Sequence, residues 1–297
     1  MELTAINKLR IAAVAALGII VIGILAWPLA APADPLMAVR ASGISLPDTG
    51  LLLVLAFAIG FAGYFISWPH GREIGILGVP FGLTVWAIRS GPMQALTQTH
   101  SQIAERVSLV HSLRFEPFYW LLVVAAGFAG VLAAQRLRPS PKPSAGDDPA
   151  PSRQREALYI NGSIALAASA LISLFFVGVF GQNLVMSRPV AAQPAVGQIL
   201  FAVIGAFAVA AFVVKKFLDA SYVWPGAASL LVIALAQVSH YRTEMIQRFA
   251  ETCPATFFPH SIFAILPVQL VALGALGSVL GYWMAVRYDY WRKHETG

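Results

Sequence analysis

Apolar residues run through this chain in long blocks separated by short polar stretches, and the length of the blocks sets the first expectation. A helix needs about 20 apolar residues, with a range of roughly 17 to 25, to cross a ~30 Å hydrocarbon core. Segments that reach or approach that length are Ile11 to Ala30, Gly50 to Ser67, Ile74 to Ile88, Pro117 to Ala134, Leu158 to Phe180, Gly197 to Val214, Tyr222 to Ser239 and Ile262 to Val286. About eight transmembrane helices are predicted, the third being the shortest. Lys8 and Arg10 before the first block, with Ala31-Pro32-Ala33 after it, share features with a signal peptide. The length of the run, which ends in Trp27, and its counterpart in the second half of the chain favour a retained helix.

Two loops carry a different pattern. Between Met93 and Leu113, the residues Met93, Leu96, Ile103, Val107 and Val110 fall on one helical stripe, while Gln94, Gln98, Gln102, Glu105 and Arg106 fill the rest. Tyr241, Met245, Ile246 and Phe249 repeat the arrangement, with Glu244 and Arg248 as an i,i+4 pair. Both loops read as amphipathic helices on the outer surface of the membrane.

A tract rich in proline, serine and charge, Pro139 to Arg153, has no apolar periodicity and reads as a disordered linker. It divides the chain into a four-helix half at 1–138, a linker at 139–157 and a second four-helix half at 158–297. Order and spacing match across it. Leu36 to Arg40 resembles Leu184 to Arg188, and Pro47, Gly50 and Leu53 match Pro194, Gly197 and Leu200 at a constant offset of 147. Pro80 and Pro225 follow at 145. With four spans each, the halves enter the membrane in the same sense, so the repeat is parallel, about an axis along the membrane normal.

Composition agrees with the pattern: 58% of residues are hydrophobic and 11% charged, against about 25% charged in a soluble domain. The net charge of +6 does not point to nucleic acid, because the basic residues sit beside apolar runs, where they orient helices and meet anionic lipid. With the N-terminus inside, thirteen of the twenty basic residues, among them Arg72, Arg136, Arg138, Lys215 and Lys216, fall on the cytoplasmic side. The chain is therefore placed in the cytoplasmic membrane with both termini in the cytoplasm. Tryptophan and tyrosine fit headgroup depth, Trp27, Trp86 and Trp120 near outer ends and Trp68, Trp224, Trp283, Tyr64, Tyr222 and Tyr282 near inner ends. Small residues four apart, Gly78 with Gly82, Gly277 with Gly281, Gly274 with Ser278, Ala126 with Gly130 and Ala56 with Gly60, mark faces where helices pack closely.

Candidate chemistry is sparse. No ionisable residue lies inside a predicted span, which argues against an ion-coupled transporter. Pro80, Pro225 and Pro267 are candidates for helix kinks or for lining a path. His100, His111, His240 and His260 share the outer side with Glu105, Glu116, Glu244 and Glu251, so imidazole and carboxylate could converge on a metal there, but no metal-ligand spacing motif is present. A Gly-x-Ser-x-Gly elbow and a phosphate-binding glycine loop are both missing. The lone Cys253 permits no intrachain disulfide and reads as a small hydrophobe. No cofactor is expected.

The reading that results is an all-α, polytopic helical membrane bundle of eight spans, arranged as a 4+4 parallel pseudo-repeat with two outer amphipathic helices. Its partners are the lipid bilayer and other membrane or periplasmic proteins. The leading function is that of a non-enzymatic accessory or scaffold subunit acting through its outer face. The alternative is a permease or lipid-handling protein with a path between the halves; a metal-binding protein or membrane enzyme comes third.

Overall fold

In hydrocarbon every backbone N–H and C=O must find its partner inside the segment, and helices do this for the apolar blocks. The computed structural model describes residues 4–100, 102–139, 152–182, 191–240 and 257–295, of which 152–160, 237–240 and 293–295 are described as backbone only. The described helices are α1 (Ala5–Gly18), α2 (Leu46–Ile66), α3 (Gly71–Ile74), α4 (Gly78–Arg89), α5 (Met93–Thr99) and α6 (Ile103–Leu113). After them come α7 (Glu116–Leu137), α8 (Ser152–Phe180), α9 (Val196–Leu218), α10 (Val223–His240) and α11 (Pro267–Glu295). One two-residue antiparallel pairing, Ala191 with Phe258 and Ala192 with Phe257, ties two loops of the second half.

Six helices among the described residues are long and apolar enough to cross a membrane: Ala5–Leu25, Leu46–Ile66, Ile103–Leu137, Asn161–Phe180, Val196–Leu218 and Pro267–Arg292. Gly71–Arg89 reaches that standard only together with Met93–Thr99, across a 49° bend, which would make a seventh. The described apolar part of α10, Val223–Ala236, is shorter. The chain is thus a helical bundle suited to several membrane passes. Its outward faces are apolar, as lipid requires: Leu51, Val54, Phe57 and Phe65 on α2 and Phe118 and Leu122 on α7 are exposed.

Helix ends follow local chemistry. Ser45 caps α2 by accepting the Asp48 N–H at 3.3 Å. Lys215 and Lys216 fall in the last turn of α9, where cations complement the helix dipole, and Asp219 ends it at φ 49°. Past Gly18, α1 continues as a π-helical turn, Ile19–Leu25, with the Ala26 N–H bonded to the Val21 carbonyl.

Glycines set the closest packing. A Cβ on Gly18 would overlap the Gly78 carbonyl oxygen, one on Gly60 that of Gly127, one on Gly130 that of Phe57, and one on Gly281 that of Ala208. These contacts join α1 to α4, α2 to α7 and α9 to α11, all within a half. Of the small-residue pairs read from the sequence, Ala126 is only half-buried, and Gly127 makes the close approach in its place. The halves meet where α11 packs on α4 and α7. The largest apolar cluster crosses that boundary, grouping Leu83, Trp86 and Val123 with Leu266, Val268 and Val271. In α11, 67% of the apolar window is buried, against 22% in the first helix, so α11 is the central rod.

Two sequence expectations change here. The Met93 to Leu113 stripe is two helices, α5 and α6, separated at His100–Gln102, and α6 runs on into α7 after a break at Arg114 and Phe115. Trp86 and Trp120 are fully buried, not at a lipid boundary. They form an edge-on chain with Trp27, with successive ring centroids 6.2 Å apart. The Trp86 indole donates to the Ile22 carbonyl inside the π-helical turn, at 2.8 Å. The Leu184 to Arg188 loop, most of the Pro139 to Arg153 linker and the whole Tyr241 to Phe249 stripe with Glu251 and Cys253 lie outside the described residues.

The glycine contacts give a paired expectation. Gly60→Ala must push two backbones apart and lowers stability by about 1 to 3 kcal/mol. Gly50→Ala, whose Cβ meets nothing within 4 Å, leaves stability equal or gains roughly 0.5 to 1 kcal/mol. Thermal melts of both variants in one detergent would expose an error in this packing if they moved together.

Candidate functional site

The outer histidines were the nearest the sequence came to a metal site, and each has its own local setting. The Nδ1 atom of His100 lies 2.7 Å from the Leu96 carbonyl at the end of α5. His111 is exposed on α6. His260 accepts the Ile262 N–H at 3.2 Å and so caps the 3-10 turn Ser261–Ala264. The side chain of His240 lies outside the described residues. Among the described residues no three His, Cys, Asp or Glu side chains gather closely enough to hold a metal.

The three prolines differ. Pro267 is the first residue of α11, where the missing N–H would have had no intrahelical partner. Pro80 and Pro225 are each the third residue of their helices, α4 and α10. Neither can complete an α-type bond to the carbonyl four residues back, and both helices begin tightly, with Gly78 N–H bonded to Gly75 and Trp224 N–H to Ser221. The Pro80 carbonyl also accepts the Thr84 hydroxyl at 2.8 Å.

Pro80 lines a cleft between the two halves, and the neighbours of Pro225, Val223 and Gly226, line it from α10. Its walls are Ile76 and Pro80 from the α4 side, Val124, Ala125 and Phe128 of α7, Ala275 and Val279 of α11, and Tyr222, Val223, Gly226 and Ala227 at the start of α10. It holds about 160 Å³. Tyr222 is the one polar side chain in the lining, and its hydroxyl donates to the Arg72 carbonyl at 3.2 Å. Its ring stands edge-on to Tyr282 at 5.3 Å. Gly226 faces open space, since a Cβ there would meet nothing within 4 Å. At the opposite end of the bundle a smaller pocket of about 50 Å³ lies among Met93, Leu109, Leu113, Ile233 and Phe258.

Buried polar groups elsewhere fasten the structure. Arg40 Nε lies 3.2 Å from Glu116 Oε1, and its Nη2 donates to the Ser112 hydroxyl at 2.6 Å. Glu116 is 4% exposed, and the Trp120 indole one turn along is turned toward the same carboxylate without closing a hydrogen bond. Gln269 accepts the Leu266 N–H at 2.9 Å and donates to the Ala87 carbonyl of α4 at 3.1 Å, a bond between the halves. Gln193 does the same, accepting the Gln94 N–H at 3.1 Å and donating to the Ala264 carbonyl at 3.0 Å. Arg89 stacks on Trp27, 4.3 Å from the ring centre. Sequence reasoning placed Arg40 and Glu116 as separate loop residues, because partners 76 positions apart leave no spacing signal.

Comparison with known protein families, with curated proteins and with solved structures gives no match.

The buried ion pair can be checked directly. Arg40→Ala leaves the Glu116 carboxylate without its partner and destabilises by on the order of 3 kcal/mol. The double variant Arg40→Ala with Glu116→Leu regains most of that loss. Equal melting temperatures for wild type and Arg40→Ala would mean that the pair is solvated.

Proposed function

We propose that this chain is an eight-span protein of the cytoplasmic membrane, with both termini in the cytoplasm, that holds a lipid hydrocarbon chain between its two four-helix halves. The apolar cleft at the seam carries this reading. A polar solute entering it would lose its hydration and find only the Tyr222 ring and hydrocarbon, at a cost of several kcal/mol per unpaired group (roughly 2 to 7). Hydrocarbon suffers no such penalty. An apolar cavity of about 150 Å³ stays dry and accepts an apolar guest, and this one has a similar volume.

The eight spans are the six long helices together with Gly71–Arg89 and α10, whose 18 residues run Val223–His240. Lysine and arginine placement supports the orientation, and it puts the Tyr222 end of the cleft on the cytoplasmic side. The matched Pro80 and Pro225, each opening a helix at the cleft, support the parallel pseudo-repeat. Lipid handling therefore displaces the scaffold role as the leading reading. Contact with another membrane or periplasmic protein is the second, favoured by α6, which buries Leu109 and Leu113 and exposes Glu105, Ser108 and His111.

The test uses a phospholipid with a photoreactive group in its acyl chain, with the protein in nanodiscs. Adducts are expected to concentrate on peptides carrying Val124 to Phe128 and Val223 to Ala227, above those on the outward face of α2. Gly226→Phe fills the open space and should reduce the cleft adducts roughly tenfold while leaving the α2 adducts unchanged. Labelling spread evenly over all outward faces, indifferent to Gly226→Phe, would sink the reading.

A further inference from the structure

Aromatic rings hold two cations in place where α9 and α11 end together. In the last turn of α9, Lys215 pairs with Asp219, while the Lys216 Nζ lies 4.4 Å from the centre of the Tyr288 ring on α11. The Phe212 and Phe217 rings stand 6.0 and 5.9 Å from the same ammonium. One position before Tyr288, the Arg287 guanidinium lies 4.5 Å from the centre of the Trp291 ring. Lys216, Arg287, Tyr288 and Trp291 are all exposed. A ring face attracts a cation through its charge and uses none of its N–H groups, so the charge stays whole and the donors remain available to an anion. Among the described residues neither Lys216 nor Arg287 forms an ion pair.

At 100° per residue, Arg287, Trp291 and Tyr288 share one face of α11, about 100° wide. Met284 and Leu280 continue that face toward the middle of the helix, and both are exposed. Asp289 falls about 100° beyond Tyr288, off the face. Ala275 and Val279, which line the cleft, lie on another side of the helix. Within two turns the stripe thus passes from bare hydrocarbon to a pair of cations, which is the profile of a phospholipid with its phosphate uppermost. A soluble phosphate or an acidic peptide would use the cations alone; the apolar approach to them favours lipid. Lys8, Arg72 and Arg136 are exposed at the same end on other helices and add a general attraction for anionic lipid. Arg138 lies over Trp68 at 4.1 Å, but as a single cation.

We infer that this end of α9 and α11 is a binding site for an anionic phospholipid, its phosphate on Lys216 and Arg287 and its acyl chain along Met284 and Leu280. The site is separate from the seam between the halves and stands whether or not the cleft holds lipid. Rings that already restrain the two long side chains reduce the ordering lost when a headgroup arrives. Each Lys or Arg near the surface changes the preference for anionic lipid about fivefold, and two together about twenty-fivefold.

The experiment places the full chain in phosphatidylcholine nanodiscs that contain a small fraction of phosphatidylglycerol or phosphatidylcholine with the same photoreactive acyl chain. Adducts are counted on the segment from Leu280 to Arg287. Wild type should label there roughly twenty-fivefold more with the glycerol lipid than with the choline lipid. Lys216→Gln and Arg287→Gln each lower that ratio about fivefold. Lys8→Gln removes the same charge elsewhere at this end and leaves the ratio unchanged. Trp291→Ala removes no charge, yet lowers the ratio roughly two- to fivefold by releasing the guanidinium from its ring. Excess inorganic phosphate has no chain to lay on α11 and changes nothing. All four substitutions are at exposed positions, and melting temperatures equal to that of wild type confirm folding. Equal labelling by the two lipids, an unchanged ratio in Trp291→Ala, or a loss in Lys8→Gln as large as in Arg287→Gln would overturn the site in favour of diffuse surface charge. Displacement by inorganic phosphate alone would overturn the lipid assignment.

Discussion

Close approach between helix backbones is the constraint on which this bundle depends. Lipid tails are as apolar as the side chains they would displace, so burying leucine against leucine gives helices little reason to associate in a membrane. Contact area at short range has to do it. Gly18 against Gly78, Gly60 against Gly127 and Gly281 against Ala208 each let a carbonyl oxygen of one helix rest where a side chain would otherwise stand. Every one of these seams is internal to a half. At the boundary between halves no glycine among the described residues plays this part: Gly274, Gly277 and Gly281 of α11 all face α9, and Gly78 and Gly82 of α4 face its neighbours in the first half. Full-sized side chains meet there instead, and cylinders held apart by side chains do not close completely. The cleft is what that spacing leaves.

The few polar groups in the bundle join parts that packing holds less tightly. Gln269 and Gln193 are both amides, able to give and receive at once, and both connect the halves. Between unsatisfied alternatives in hydrocarbon, such a bond is worth roughly 0.6 to 2 kcal/mol, enough to fix register without carrying the association. The Trp86 indole answers the Ile22 carbonyl where the first helix widens into its π-helical turn, so the wider turn and the buried ring accommodate one another. Arg40 and Glu116 pair where a loop reaches the first residue of α7.

How much of this was legible depended on whether the signal was local. All eight apolar blocks became helix, because the bilayer enforces that form on any apolar run of sufficient length. The faces of Gly78, Gly82, Gly277 and Gly281 were legible for the same reason, since a four-residue spacing is a property of one helix. Partner choice was not: Ala126 and Gly127 are adjacent in sequence, and the rotation of α7 about its axis decides which of them meets Gly60. The break at His100–Gln102 was missed because apolar spacing can continue across an interrupted helix, while Gln102 and Glu105 form a capping box that starts α6 afresh. Of the cleft only Pro80 was signalled, as a candidate for lining a path; its other walls were not. Val124, Phe128 and Val279 have the composition of any core residue, and a void is defined by what three other helices fail to fill.

The late start of α4 within the third apolar block and the shape of one wall of the cleft both involve Pro80. Without an N–H, Pro80 offers nothing to the Ile76 carbonyl, and the chain tightens into the 3-10 turn Gly75–Leu77 before α4 begins. Ile76 and Pro80 both line the cleft, on either side of that change in pitch. Pro225 acts at the equivalent point of α10, where Ser221 receives the Trp224 N–H and Tyr222 is turned toward Arg72. Two helices that start irregularly on opposite sides of one seam cannot present matched ridges and grooves over their first turns. The loop that precedes each of them is brought to the same end, where the Tyr222 hydroxyl meets the Arg72 carbonyl beside the apolar opening.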